Sequence, residues 1–223
     1  MQELIRIDPQ QSNLLRFRAS LFARRGRWSE AIADMNRTLV LDPLQQSTHH
    51  ALAALYVQAG DLDGYRQVCQ RMLARFGDTT EPGTAERMVK DCLILPNSGA
   101  DPAVIARLAD FLSKAAGESG GNAWLEFAAG LAAYRQGQYE SATQWTRKAL
   151  RAIHPVRSVE AYMVLAMAHQ RLQQTAQARL ALADGLEHAQ KNLPRLENGD
   201  LGRDWLDGII AQALMREAKA MIE

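Results

Sequence analysis

Apolar residues recur at intervals of three and four over long stretches of the chain, with polar residues between them. The last such stretch has an apolar face made by Trp205, Leu206, Ile209, Ile210, Leu214 and Met221. This spacing fits the 3.6-residue turn of an α-helix rather than the two-residue alternation of a strand. The pattern predicts amphipathic helices, with a single closing helix over residues 201–223.

The pattern also repeats with a fixed period. The pair Asp-Pro at residues 8–9 recurs at residues 42–43, and Gly26 recurs as Gly60, in each case 34 residues later. Gly137 takes the same place in a later unit. We expect these glycines to end the first helix of each unit in the left-handed conformation that glycine adopts most readily. A period of this length predicts an array of helical hairpins.

Small residues recur where the two helices of one hairpin would cross. On the first helices they are Ala19, Ala53, Gly130 and Ala166, and on the second helices Ala31, Ala142 and Ala178. Two helices approach closely only where small side chains occupy the crossing point. The last unit departs from the pattern at Gln173, which replaces the turn glycine. These positions predict closely packed helix pairs in succession.

Residues 80–120 form an unusual unit. The stretch from Glu86 to Leu95 predicts a helix that Pro96 ends, and Asp101-Pro102 predicts the start of a second helix that runs to about Ala116. The turn between these helices is longer than in the other units and lacks a glycine followed by an aromatic residue. Two interpretations stay open, a divergent repeat or an inserted, unrelated hairpin.

The composition supports the helical prediction, and the net charge argues against two classes of binding partner. The 223 residues include 36 alanines and 28 leucines but only 25 valines, isoleucines and threonines together, and β-branched residues favour sheets over helices. The net charge of +1 argues against binding to nucleic acid or to an acidic membrane. The first residues lack the apolar run of a signal peptide, and no run nears the length of a membrane span, so we expect a cytoplasmic protein.

Motifs for catalysis and metal binding do not occur in the sequence. The five histidines lack the spacing of a zinc-binding helix, and no serine lies in a G-x-S-x-G motif. Cys69 and Cys92 fit no zinc spacing and fall on apolar helical positions, where we expect buried, unreactive thiols. We therefore expect a protein that is not an enzyme and that has no metal site and no cofactor.

The repeated units resemble tetratricopeptide repeats, in which a large residue, a small residue, an aromatic residue and a turn glycine follow one another. This resemblance covers most of the chain and implies an all-α fold, a right-handed α-α superhelix within a single domain, 1–223. The implied repeats are residues 12–45, 46–79, a divergent 80–120, 122–157 and 158–192, followed by a capping helix at 201–223. Residues 1–9 look like the second half of a repeat, so we expect the chain to be part of a longer protein.

A narrower resemblance appears in the second half of the chain. The stretches that are similar to the C-terminal repeat region of large bacterial serine/threonine protein kinases are 90–96, 130–137, 161–169, 199–201 and 214–220. The kinase motifs themselves do not occur, and Arg75-Phe76-Gly77 is not a metal-binding D-F-G. The resemblance implies a regulatory or docking segment of such a kinase. The alternative is a self-associating oligomerisation module.

In the tetratricopeptide family, the first helices of successive pairs line a concave groove that binds a protein or peptide. The groove residues that the resemblance implies are Arg16, Ser20, Arg24, His50, Gln58, Trp124, Phe127, Leu131, Tyr134, Arg135, Met163, Met167, Gln170 and Arg171. The divergent unit offers Lys90. Ser20 and Ala51 stand where the family's clamp for a terminal carboxylate has asparagine, so we do not expect that clamp.

Two features of this surface have open interpretations. Arg24, Arg135 and Arg171 lie at helix C-termini, where they either offset the helix dipole or form a positive ridge for acidic side chains of a bound peptide. The apolar positions between Trp124 and Met167 are either core, covered by the connection at 192–203, or a groove for an amphipathic helix.

The N-terminal face of the array is expected to be partly open. Only half a repeat precedes the first helix, which leaves part of the surface of Leu14, Leu15 and Leu21 uncovered. An open apolar face predicts weak self-association, or contact with further protein upstream.

Overall fold

A computed structural model describes residues 11–223, and these residues form an all-α solenoid without strands. The helices are α1 (Ser12–Arg24), α2 (Trp28–Leu41), α3 (Gln46–Ala59), α4 (Leu62–Phe76), α5 (Pro82–Cys92), α6 (Pro102–Glu118), α7 (Ala123–Arg135), α8 (Tyr139–Ala149), α9 (Arg157–Arg171), α10 (Thr175–Asn192) and α11 (Trp205–Ile222). A short 3-10 turn, Leu196–Asn198, precedes α11. The predicted right-handed α-α superhelix is confirmed.

Neighbouring helices pack in pairs, α1 on α2, α3 on α4, α5 on α6, α7 on α8 and α9 on α10. Helices α3, α5, α7 and α9 also pack on one another in succession. They therefore form one layer of the array, and the even-numbered helices form the other. Helix α5 lies in the first layer and α6 in the second, so residues 82–118 take the same arrangement as the other pairs.

The predicted turn glycines are confirmed. Gly26, Gly60 and Gly137 follow α1, α3 and α7 with φ angles of 73°, 73° and 77°. Gln173, which replaces the glycine after α9, has a φ of 58° and is the sole non-glycine residue with a positive φ among residues 11–223. The turn geometry therefore persists where the glycine is missing, and Gln173 adopts a conformation that costs a side-chain-bearing residue free energy.

The small residues lie at helix crossings, as the sequence predicts. Ala19, Ala53 and Ala166 are fully buried. A Cβ atom placed on Gly130 of α7 would lie only 2.8 Å from Cγ2 of Thr146 on α8. The two helices approach so closely at this point that even alanine requires a shift of the partner helix.

The divergent unit differs from the prediction at both ends of its first helix, which begins at Pro82 rather than at Glu86. The second helix begins as expected, because the Asp101 side chain accepts a hydrogen bond of 2.8 Å from the Ala103 N–H and Pro102 occupies the first turn. The first helix ends at Cys92 and does not continue to Leu95. Pro96 disfavours helical backbone in the residue before it, and Leu93 and Ile94 are buried without being helical.

The last helix contacts more of the array than a cap of the last pair would. Helix α11 begins at Trp205, so the predicted start at residue 201 is wrong. It packs on α9 and α10 and covers the last pair as predicted. It also packs on α3, which belongs to the second pair. Residues 193–204 connect α10 to α11 and lead the chain back along the array.

The N-terminal face differs from the prediction in one residue. Leu15 is buried, so the expectation that its surface is open is wrong. Leu14 and Leu21 are half-buried, and the exposed apolar residue of α1 is Phe17, at 52% exposure. The half repeat predicted at residues 1–9 lies outside the described residues.

Candidate functional site

The candidate site is the inner face of the array, which we define as the surface of α1, α3, α5, α7 and α9 that meets the C-terminal segment. We call residues 200–222 the resident segment; it comprises α11 and the five residues before it. It contacts α1 through side chains and packs directly on α3 and α9. The inner face therefore already holds a helix that belongs to the same chain.

Three ion pairs fasten the resident segment to cations of three different inner helices. Asp200 pairs with Arg24 of α1, with Oδ2 to Nη2 at 2.6 Å and Oδ1 to Nε at 2.7 Å. Asp207 pairs with Nζ of Lys90 on α5 at 2.9 Å. Glu217 pairs with Arg135 of α7 in a two-point contact, with Oε2 to Nη2 at 2.6 Å. Bidentate pairs between arginine and a carboxylate are the strong, directional kind.

The Arg135 side chain is held in place from two sides. Its Nε donates to the carbonyl of Leu93 at 3.0 Å, and its Nη2 donates to the carbonyl of Ile94 at 2.9 Å. These carbonyls belong to the non-helical turn after α5, so the early end of that helix is what makes them available. The guanidinium group is therefore oriented toward Glu217 by the scaffold itself.

Lys90 is the most deeply buried cation of the site, with its side chain 3% exposed. Its Nζ contacts Oδ1 of Asp207 and, at 3.0 Å, Oε1 of Glu86, and it lies 4.8 Å from the ring centre of Trp124. Burial alone would lower the pKa of Lys90, but the Asp207 and Glu86 carboxylates outweigh it and raise that pKa well above its ordinary value. The ammonium group is charged, and it depends on these carboxylates.

Apolar burial supplies the rest of the contact. The buried residues of α11 are Trp205, Ile209, Ile210, Ala211, Ala213, Leu214 and Ala218. The indole Nε1 of Trp205 donates to Oγ of Ser20 on α1 at 3.1 Å. The hydroxyl of Tyr134 on α7 donates to the sulfur of Met221 at 3.8 Å. Each large side chain removed from water contributes roughly 1.5–3 kcal/mol before conformational entropy is counted.

Further buried carboxylates surround Lys90. Both carboxylate oxygens of Glu160 on α9 are buried without a hydrogen-bond partner. Burial raises the pKa of Glu160 well above its ordinary value, and the nearby Asp207 carboxylate adds to the effect. Asp91 is fully buried, and its Oδ1 lies 2.6 Å from Nδ1 of His50. Burial also raises the pKa of Asp91, and His50 offsets only part of that shift.

The resident segment does not fill the whole surface. A cavity of about 460 Å³ remains between α3, α5, α7 and α11. Its wall includes His50, Glu86, Lys90, Trp124 and Asp207. The Trp124 ring on α7 lies between two cations. Nζ of Lys90 is 4.8 Å from the ring centre, and the guanidinium of Arg157 on α9 is 5.1 Å from it. Within residues 11–223, no group of histidine, cysteine or acidic side chains is arranged to hold a metal ion.

No protein-family model matches the chain, and no curated protein matches its sequence. Solved structures match its fold. PilW, a widely conserved type IV pilus biogenesis factor, aligns with a TM-score of 0.55 and 16% identity over 94% of this chain and 90% of that chain. A tetratricopeptide repeat protein from Parabacteroides merdae aligns with a TM-score of 0.55 and 13% identity over 96% of this chain and 75% of that chain. The chain has a tetratricopeptide-like fold.

Four of the groove residues inferred from the sequence contact the resident segment of this tetratricopeptide-like array. They are Ser20, Arg24, Tyr134 and Arg135. Lys90, which the divergent unit offered, is a fifth. For Arg24 and Arg135, pairing with an acidic side chain is what a positive ridge would do. Here the acidic side chains come from the same chain.

Other inferred groove residues have different surroundings. Arg16 donates to Oγ of Ser47 at 2.8 Å, and His50 pairs with Asp91. Arg171 is exposed at the end of α9, and its hydrogen bond to Tyr134 raises the Arg171 pKa. Gln58 and Gln170 are half-buried, and each has a buried side-chain oxygen without a partner.

The apolar stripe inferred from the sequence belongs largely to the core. Phe127, Leu131, Met163 and Met167 are fully buried. The Met163 side chain lies over Gly185 of α10, so it fills space within its own helix pair rather than facing a groove. The connection at 192–203 meets the inner face at α1, where Asp200 and Leu201 contact Arg24. Over α9 the structure places α11 instead.

The acidic partners Asp200, Asp207 and Glu217 were not predicted from the sequence. One signal was available. In the closing stretch, Asp207 shares a helical face with Ile210 and Leu214, at intervals of three and four residues. A carboxylate that the apolar face carries into the interior requires a cation as its partner.

No helix in residues 11–223 combines the length and the apolar character needed to cross a bilayer.

Proposed function

We propose that this protein is a tetratricopeptide-type scaffold for protein–protein interaction, and that its inner face binds a helical segment of another protein. One observation carries the proposal: the inner face already binds a helix, through apolar burial and three cation–carboxylate pairs. A surface with the shape and charge to bind an amphipathic helix in the same chain has the properties needed to bind one from another chain. The role is binding rather than catalysis.

A crosslinking experiment on the full chain tests this function. Helical peptides would be selected from a displayed library against the immobilised protein. The site of binding would then be mapped with a photoreactive phenylalanine at Arg171, which is exposed at the edge of the inner face. A matched protein would carry the same group at Val40, which is exposed on α2 in the other layer.

Selected peptides should crosslink to the protein with the group at position 171 and not to the protein with the group at position 40. If no peptide is selected, or if crosslinks form equally from both positions, the inner face does not have this function.

The finer role follows from the sequence resemblance alone. We propose that the protein is a docking or regulatory segment of a bacterial serine/threonine kinase and acts in the cytoplasm. The genomic sequence upstream of Met1 tests this role. A kinase reading frame there would support it, whereas a promoter directly before Met1 would favour a self-associating module.

Self-association through the N-terminal face stays a prediction with its own test. Sedimentation of the wild type beside a Leu14→Glu variant would show whether a half-buried residue of α1 contributes to an interface. A wild type that remains monomeric at high concentration would eliminate the self-associating module.

A further inference from the structure

We propose that the resident segment is a built-in ligand of the inner face, and that the external partner is an acidic amphipathic helix that takes its place. This inference rests on the proposed function and specifies the chemistry of the partner.

The positive side chains of the resident segment point to solvent, whereas three of its carboxylates face the array. Its positive charges are all exposed, on Arg203, Arg216 and Lys219. Three of its carboxylates face cations of the inner face, Asp200 at Arg24, Asp207 at Lys90 and Glu217 at Arg135. A helix that served only as an apolar cover would not require this sorting. The inner face therefore selects negative charge at defined points.

The anchor points set a spacing for the partner. Asp207 and Glu217 are ten residues apart, which corresponds to about 15 Å along a helix. The buried apolar residues between them are Ile209, Ile210, Ala211, Ala213 and Leu214. A partner helix thus needs an apolar face with one carboxylate near each end. The carboxylate at Asp200 lies before the helix begins, so it is the least dependent on helical geometry.

Two of the cations are buried and therefore require a carboxylate from the helix that covers them. Lys90 is nearly inaccessible to water, and the carbonyls of Leu93 and Ile94 hold the guanidinium of Arg135 in position. A neutral or basic helix in the same place would leave Arg135 without a carboxylate and Lys90 with Glu86 alone, which is unfavourable for buried charges. The scaffold thereby excludes partners without acidic residues at the two points.

The connection allows the resident segment to leave without breaking the array. Residues 194–200 are exposed, and Gly199 and Gly202 adopt positive φ angles. Two contacts join the start of the segment to Arg24. The Asp200 carboxylate pairs with its guanidinium, with side chains 44% and 33% exposed, and the Leu201 N–H donates to its carbonyl at 2.9 Å. The Leu196 side chain also lies beside Gly26. Solvent-exposed ion pairs contribute little stability, so a competing helix would have to replace mainly the apolar burial of α11. The displaced segment would stay tethered to α10 by the exposed connection.

Peptide exchange on the full-length protein tests the inference. The probe is a fluorescent synthetic peptide with the sequence of residues 200–223, and its uptake is followed by fluorescence anisotropy. The protein is used intact and also after cleavage at a protease site inserted between Glu197 and Asn198 in the exposed connection. Cleavage turns the resident segment into a separable ligand while the folded array is retained.

Matched peptides resolve the role of charge. A Glu217→Arg peptide should bind at least about thirtyfold more weakly than the parent peptide, because it places a cation against Arg135. A Glu223→Arg peptide makes the same charge change at the exposed end of the chain and should bind like the parent. The Arg135→Glu protein should recover binding of the Glu217→Arg peptide.

A designed helix tests whether the inner face recognises an acidic amphipathic pattern or only the sequence of its own α11. It keeps the apolar face and the two carboxylates of α11 and replaces the exposed residues. Its uptake would support an external partner. If only the native peptide is taken up and the intact protein sediments as a dimer, the occupant is a second copy, and the proposal of an external partner is overturned.

Two other results would overturn the inference and are distinguishable from a failure of the proposed function. If the cleaved segment never exchanges, α11 is a permanent part of the fold. If the Glu217→Arg peptide binds as well as the parent, the partner is not selected by acidity. In either case, helical peptides that crosslink at position 171 would still support the scaffold function.

Discussion

The Asp207→Asn variant removes one carboxylate from the most deeply buried anchor and keeps its shape. In the wild type, Nζ of Lys90 has two carboxylate neighbours, Asp207 at 2.9 Å and Glu86 at 3.0 Å, and the face of Trp124. After the substitution the ammonium group keeps Glu86 and the ring but loses the charge contributed by α11. The contact between α11 and α5 is weakened at the point where water has least access.

The expected loss of stability follows from this environment. Removing one partner of a fully buried pair costs about 3–5 kcal/mol. Because Glu86 remains beside Lys90 and Asn can still accept a hydrogen bond, we expect a loss of about 2–4 kcal/mol. For a protein of this size, such a change lowers the melting temperature by about 5–15 °C.

Urea unfolding followed by circular dichroism measures the change, with Asp78→Asn as the matched control. Asp78 also pairs with an arginine, Arg107, but its side chain is 94% exposed. The control should therefore unfold like the wild type, because exposed pairs contribute little. If Asp207→Asn is no more destabilising than Asp78→Asn, Lys90 does not depend on the resident segment, and the reasoning about the buried anchor is refuted.

Four further substitutions test the packing, the turns and the buried acid by urea unfolding. Gly185→Ala should destabilise the protein by about 1–3 kcal/mol, because the new Cβ would lie 2.7 Å from Cβ of Tyr162. The control Gly208→Ala places its Cβ where no atom lies within 4 Å, so it should stabilise the protein by about 0.5–1 kcal/mol. Gln173→Gly should stabilise the protein by about 0.5–1 kcal/mol, since it removes the strain of a positive φ, and an unchanged midpoint would show that no strain exists. Burial raises the pKa of Glu160 well above its ordinary 4.5. Stability should therefore fall as pH rises from that value toward the raised pKa of the folded state, and Glu160→Gln should lose this part of the slope.

Much of the fold follows from local rules. Gly26, Gly60 and Gly137 mark turns because a left-handed residue is needed directly after a helix, and this need shows in the sequence wherever glycine meets it. Asp101 and Pro102 start a helix for reasons confined to its first turn. The error in a helix end at Leu93 to Leu95 arose because buried apolar residues look alike in a helix and in a packed turn.

The candidate site was predicted only in part. The sequence placed Ser20, Arg24, Tyr134 and Arg135 on one surface, because the repeat period assigns equivalent positions to successive units. It did not show that this surface was occupied. The apolar face of α11 was evident from its spacing, but the spacing does not say which surface that face covers.

By itself, the sequence determined the helices, the turns and the packing of each pair on the next, because in a repeat array these contacts join neighbours along the chain. The tertiary structure alone decided where α11 lies. Asp200, Asp207 and Glu217 meet cations that are 176, 117 and 82 residues away. Such pairs form only because the superhelix curves and brings the inner helices within reach of one returning segment, and no local pattern in the sequence shows that α11 returns to α3.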